Sequence, residues 1–134
     1  MKREIKVEDY GDMLSQVTGK KLISYNTFGS YQGDWIAALE DGENIELWKG
    51  SYGSCSGCDW IEAEAYQDTV SLKKAKDYFK EDRPFAIIPK EMMERIDIQT
   101  FIEIMPANTR AEIYDFEPQE LYEAILKGIT NPLS

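Results

Sequence analysis

The sequence predicts a small single domain of the α+β class, in which an antiparallel β-hairpin over about residues 31–52 packs with N-terminal, central and C-terminal helices. Three observations support this prediction. A chain of 134 residues has the length of one domain. Hydrophobic residues form 43% of it, which is typical of a globular protein. Segments with strand-like alternation are interleaved with segments of helical spacing, and no linker or repeat divides residues 1–134.

The first helix is predicted over residues 7–18, where apolar residues recur at helical spacing and Gly19 follows as a stop signal. The segment 27–33 is rich in Gly, Ser and aromatic residues and predicts a turn.

Two strands, 31–40 and 44–52, follow this turn, joined at Asp41-Gly42, which is a strong hairpin signal. Polar and apolar residues separate only partly along the two strands. We therefore expect both faces of the hairpin to be covered.

The segment 59–68 has mixed signals. Its alternation of apolar and acidic residues suits a strand, whereas its Ala and Glu content suits a helix. Asp59 is a good helix N-cap residue and Glu62 lies three residues later, at the spacing of a capping box, which favours a helix. Further along, the patterns predict a helix at 71–82, a buried strand at 85–88, a helix at 90–96, a helix or strand at 98–105, a loop at 106–109 and a closing helix at 118–129.

The net charge of −10 and the absence of histidine exclude several classes of function. Nucleic-acid backbones and anionic membranes attract cationic surfaces, so we expect neither as a direct partner. A basic protein surface is a better electrostatic match, although acidity can also serve solubility alone. Without histidine, this chain cannot supply a Ser-His-Asp triad, a Cys-His pair or an H-E-x-x-H zinc site. We therefore expect a non-enzymatic protein without a cofactor.

No apolar run reaches the roughly 20 residues needed to cross a bilayer. The first residues lack the apolar core of a signal peptide. We therefore expect a cytoplasmic protein, in which thiols are kept reduced.

Both cysteines, Cys55 and Cys58, lie in a Gly- and Ser-rich segment that ends at Trp60. A C-x-x-C pair can bind a metal, perform thiol-redox chemistry or pack as two small buried side chains. A zinc site would need further ligands, from Asp59 and Glu62 or from a second chain. A redox site would need a lowered thiol pKa, which a helix N-terminus favours and the neighbouring acidic residues oppose. The three alternatives stay open.

The cysteine segment also carries a resemblance. The string Tyr52-Gly53-Ser54-Cys55-Ser56-Gly57-Cys58-Asp59, with Tyr31-Gln32-Gly33-Asp34-Trp35 upstream, resembles a pattern in short uncharacterised phage and bacterial proteins. The likeness covers residues 28–68. It implies an origin in a mobile element and no known activity.

The last third of the chain is rich in regularly spaced carboxylates. Together with aromatic residues of the hairpin, they suggest a small acidic module that binds a basic surface of another protein. The alternatives are a solvated helix face for the acids and core packing for the aromatics. The candidate partner-binding residues are Glu112, Asp115, Glu117, Glu120, Glu123, Trp35, Trp48, Tyr52 and Trp60.

Overall fold

A four-stranded antiparallel sheet with helices on both faces organises the chain, as a computed structural model shows. The structure describes residues 3–29, 33–53, 59–65, 68–107, 109, 113 and 116–130. The α+β class is thereby confirmed. In chain order the elements are β1 (Glu4–Lys6), α1 (Tyr10–Thr18), β2 (Lys21–Gly29), β3 (Gly33–Asp41), β4 (Asn44–Tyr52), α2 (Trp60–Glu64), β5 (Thr69–Ser71), α3 (Leu72–Phe79), β6 (Ala86–Pro89), α4 (Lys90–Arg95), α5 (Ile98–Ile104) and α6 (Pro118–Thr130).

The main sheet has the strand order β2-β3-β4-β6, and every neighbouring pair is antiparallel. The predicted hairpin forms its centre, with Asp41 paired to Asn44. Its loop is Gly42-Glu43, one residue later than Asp41-Gly42. The shift places glycine first in the loop with φ of 62°, a left-handed conformation that glycine adopts without steric cost.

The turn predicted at 27–33 is wrong over its first three residues and at Gly33, which begins β3, while residues 30–32 lie outside the described residues. Thr27, Phe28 and Gly29 continue strand β2 and pair with Trp35, Asp34 and Gly33 of β3. β2 has no clear alternation, because its side chains are only partly buried along most of its length. Pairing with β3, rather than its own pattern, makes this segment a strand. The three-residue strands β1 and β5, which form a separate pair, are too short to show a period at all.

The helix ends are set by caps more than by apolar spacing. α1 begins at Tyr10, three residues after the predicted start, because the Asp9 side chain accepts a hydrogen bond from the Asp12 N–H at 2.7 Å. Gly19 ends it with φ of 74°. α3 ends at Phe79, before the predicted residue 82, and 98–105 is helical over Ile98–Ile104. The helix predicted at 59–68 is confirmed over Trp60–Glu64, residues 66 and 67 lie outside the described residues, and Asp68 has φ of 62°, which a right-handed helix does not contain.

The two faces of the sheet contact separate cores. Alternate residues of β3 point to opposite sides, so Trp35 belongs to one core and Ile36 to the other. The first core holds α1, α3 and the small β1–β5 sheet. The second holds α4, α5 and α6, with Leu121 and Ile125 of α6 fully buried. Both faces of the hairpin are covered, as expected. Within the described residues, no helix is long and apolar enough to cross a bilayer.

Gly50 of β4 lies directly under the indole ring of Trp35, which is 1% exposed. A Cβ atom at this position would meet three atoms of the ring, including Nε1 at 2.7 Å. Only glycine leaves the space that the ring fills. The position therefore fixes how closely the tryptophan can approach the sheet.

We expect Gly50→Ala to lower the free energy of unfolding by about 1 to 3 kcal/mol, because the new methyl group overpacks the site. Denaturant unfolding measures the change. In a Trp35→Phe background the indole atoms in question are absent, so the same substitution should cost less there. Equal costs in the two backgrounds would contradict a steric role for Gly50.

Candidate functional site

The two ends of the cysteine-containing segment are hydrogen-bonded to each other through Asp59. The N–H of Gly53, at the end of β4, donates to Asp59 Oδ1 at 3.2 Å. Asp59 is 8% exposed and directly precedes α2. Residues 54–58, with Cys55 and Cys58, lie outside the described residues, so the metal, redox and packing alternatives stay predictions. The described part of the site therefore consists of the residues at the two ends of this segment and the side chains that contact them.

Tyr10, the first residue of α1, contacts the C-terminal end of this segment. Its hydroxyl donates to Asp59 Oδ1 at 2.7 Å and accepts from the Ile61 N–H at 3.3 Å. Its ring stacks on Trp35, with centroids 5.7 Å apart and planes 7° from parallel. One tyrosine at the start of α1 therefore contacts both the sheet and the first turn of α2.

Further aromatic rings surround the tyrosine. Tyr78 of α3 lies 5.6 Å from Tyr10 and 4.6 Å from Trp60, measured between ring centroids. Tyr52, which precedes Gly53, packs against the same core. We call Tyr10, Trp35, Tyr52, Trp60 and Tyr78 the aromatic base.

The structure corrects the prediction that Trp35 and Trp48 are surface anchors for a partner. They are 1% and 8% exposed and belong to the first core. Trp48 is opposite Ala37 in the hairpin, so the alternative of core and cross-strand packing holds for both tryptophans. Tyr52 and Trp60 are half-buried and keep part of their surface.

Burial raises the pKa of Tyr10, and the hydrogen bond to the Asp59 carboxylate raises it further. Burial is also the first cause of the raised pKa of Tyr25 and of Tyr78. A phenol in this cluster therefore stays protonated and can act as a donor to Asp59 well above neutral pH. In the structure Asp59 serves as a hydrogen-bond acceptor at the base of the segment.

A second buried carboxylate, Glu46 of β4, is not among the candidate site residues that the sequence suggests. It is 7% exposed and binds Lys20 Nζ through both oxygens, at 2.9 and 3.0 Å, while Trp48 Nε1 donates to it at 3.1 Å. The hydrogen bond to Glu46 raises the pKa of Lys20. A charged residue between the apolar residues of a strand with both faces covered indicates a buried ion pair. The sequence does not identify its partner, Lys20, because Lys20 lies 26 residues away.

The described residues contain no group of three or more acidic or thiol side chains placed to hold a metal ion. Of the carboxylates predicted as extra zinc ligands, Asp59 makes the hydrogen bonds given above. For Glu62 the structure describes only its backbone position within α2.

We call the regularly spaced carboxylates Glu112, Asp115, Glu117, Glu120 and Glu123 the acidic stripe, and the structure describes three of them. Glu117, Glu120 and Glu123 are exposed at the start and along the first half of α6. Gln119 Nε2 donates to Glu123 Oε1 at 3.0 Å. Glu112 and Asp115 lie outside the described residues. The stripe and the aromatic base contact different cores, on opposite faces of the sheet.

Comparisons with protein-family models, curated proteins and solved structures found no match to this chain.

We expect Tyr10→Phe to lower the free energy of unfolding by about 1 to 2 kcal/mol, because the buried Asp59 carboxylate loses a donor. Asp59→Asn and the double variant complete a thermodynamic cycle, measured by denaturant unfolding. The two single effects should be strongly non-additive, since both remove the same hydrogen bond. Additive effects would show that the two side chains stabilise the fold independently.

We expect the free energy of unfolding to fall as the pH rises above about 10, the ordinary pKa of tyrosine. Tyr10, Tyr25, Tyr78 and Lys20 all have a raised pKa in the folded chain. The unfolded chain therefore loses these protons first, which favours unfolding. Urea titrations from about pH 7 to 11 measure the effect. A stability that stays constant through this alkaline range would contradict it, and Tyr10→Phe should weaken the dependence.

Proposed function

We propose that this chain is a small, acidic, non-enzymatic interaction module that binds a basic surface of another protein through the layer formed by α4, α5 and α6. One observation carries the proposal. Of the seven exposed acidic residues in or next to these helices, six form no ion pair within the described part of the chain. The six are Glu94, Asp97, Glu103, Glu117, Glu120 and Glu123.

The cations of the same layer do not neutralise these acids. Lys90 pairs with Glu40 of the sheet at 3.1 Å, and Arg95 pairs with Glu91 at 2.7 Å. Lys127 is exposed in the last turn of α6. Among the described residues of the layer, these seven exposed acids and three bases give a net charge of −4. A field of this sign attracts a cationic protein and raises the rate of encounter.

The opposite layer has a different charge pattern. Four lysines of α3 and its C-cap are exposed there, and only Lys74 forms an ion pair within the described residues, with Glu64 at 3.1 Å. The four lysines are Lys73, Lys74, Lys76 and Lys80. Three exposed acids, Asp77, Glu81 and Asp82, lie in the same helix and the turn after it, so this segment has no excess of negative charge comparable to that of the α4–α6 layer.

The acidic layer holds its carboxylates on a rigid support. Leu121 and Ile125 fix α6 in the second core, and the Tyr122 hydroxyl donates to the Ile96 carbonyl at 2.6 Å. Side chains displayed from a fixed helix lose less freedom on binding than those of a loop. Met92 of α4, 39% exposed, adds an apolar contact in the same layer.

Tyr52 and Trp60 lie on the other face of the sheet, so they do not belong to this interface. The interface on α4, α5 and α6 therefore depends on charge and on Met92. The resemblance of the cysteine segment to phage and bacterial proteins supports an origin of this module in a mobile element.

We expect the triple variant Glu117→Gln, Glu120→Gln, Glu123→Gln to lose a partner that the wild type captures from its native host. The control variant Glu4→Gln, Glu8→Gln, Glu81→Gln changes the net charge equally at exposed sites outside the layer and should retain the partner. Capture should also fail at about 0.5 M salt, where charges are screened within a few ångströms. Equal losses in the two triple variants would show a general charge effect. Absence of any salt-sensitive partner would contradict the proposal.

The alternative function is zinc binding or thiol-redox chemistry at Cys55 and Cys58, and the environment of the segment opposes the redox chemistry. The buried Asp59 carboxylate directly follows Cys58, and a nearby negative charge disfavours a thiolate. Elemental analysis of the purified protein for zinc, with alkylation rates measured against pH, distinguishes this function from the interaction module.

A further inference from the structure

An apolar recess lies between the end of α5 and the start of α6. Its volume is about 200 Å³. Ile102, Met105 and Phe116 form its apolar wall, and Pro106 and Pro118 border it. Met105 and Phe116 belong to or pack against the second core, so this wall is held by the fold.

Thr109 is the polar residue of the recess. It is 2% exposed, and its backbone is fully engaged: its N–H donates to the Pro106 carbonyl at 2.9 Å, and its carbonyl accepts from the Ile113 N–H at 3.0 Å. Its hydroxyl oxygen Oγ1 is buried and has no hydrogen-bond partner within the described part of the chain. A buried hydroxyl without a partner costs stability, so a group that supplied a partner would be bound with a gain.

We propose that this recess binds a small uncharged molecule that has an apolar body of one ring and one polar group, with the polar group paired to the Thr109 hydroxyl. The size follows from the volume, since a dry apolar cavity of about 150 Å³ accommodates benzene in another protein. The preference for an uncharged ligand follows from the lining, in which none of the described residues has a charged side chain. The proposal concerns a site separate from the acidic stripe and does not depend on the proposed interaction function.

Toluene and phenol are matched probes, because they differ only by a methyl group and a hydroxyl group on the same ring. We expect both to shift the methyl signals of Ile102 and Met105 in saturable titrations followed by NMR. Phenol should also give a nuclear Overhauser contact to the Thr109 methyl group. Titrations without a saturable shift at these methyl groups, or a bound phenol without contact to Thr109, would overturn the proposal.

Two variants separate the hydroxyl from the shape of the site. Thr109→Val replaces the hydroxyl with a methyl group of similar size and should reduce the preference for phenol over toluene about fivefold, the value of one ordinary hydrogen bond. Thr109→Ser keeps the hydroxyl and should preserve the preference. An unchanged preference in Thr109→Val, or an equal loss in both variants, would overturn the role of the hydroxyl. The Overhauser contact in the wild type decides the question if Thr109→Val does not fold.

Discussion

Burial of the central hairpin on both faces is the constraint on which the rest of the structure depends. Every position of β3 from Trp35 to Leu39 is buried, so successive side chains must find apolar partners on opposite sides of the sheet. One side is covered by α1 and α3, the other by α4, α5 and α6. Small residues, Ala37 and Ala38, lie at the centre, which lets both layers approach the sheet closely. Covering two faces requires nearly the whole chain, which explains why the chain forms one domain around the four-stranded sheet.

This double burial determines how polar groups are placed. Asp59 and Glu46 are both almost fully buried on the first-core side, and each has hydrogen-bond donors from distant parts of the chain. A buried carboxylate without donors would be strongly destabilising, so these contacts fix the relative positions of the elements that supply them. Through Asp59, the segment with both cysteines begins and ends on the aromatic base. Through Glu46, the turn after α1 is joined to the hairpin.

The charge pattern differs between the two sides of the molecule. Four exposed lysines lie on α3 and its C-cap, whereas six exposed carboxylates of the α4–α6 side form no ion pair within the described residues, and Met92 is exposed beside them. An uneven field of this kind orients an approaching charged protein before contact. Trp35 and Trp48, which the sequence suggested as surface anchors, belong to the core, whereas Met92 is exposed on the α4–α6 side.

The sequence by itself determined the α+β class, the hairpin and the approximate positions of α1, α3, α4 and α6, because apolar periodicity, caps and a glycine turn are local signals. It also indicated that both faces of the hairpin are covered. It did not determine β1, β5 or β2, because none of them has a clear pattern of its own: β1 and β5 are strands through their long-range pairing with each other, and β2 is a strand through its pairing with β3. The roles of Tyr10, Lys20 and Glu46 were likewise decided only by the tertiary structure. The Lys20–Glu46 contact and the hydrogen bonds of the Tyr10 hydroxyl join residues from 26 to 51 positions apart, and no local spacing encodes such contacts.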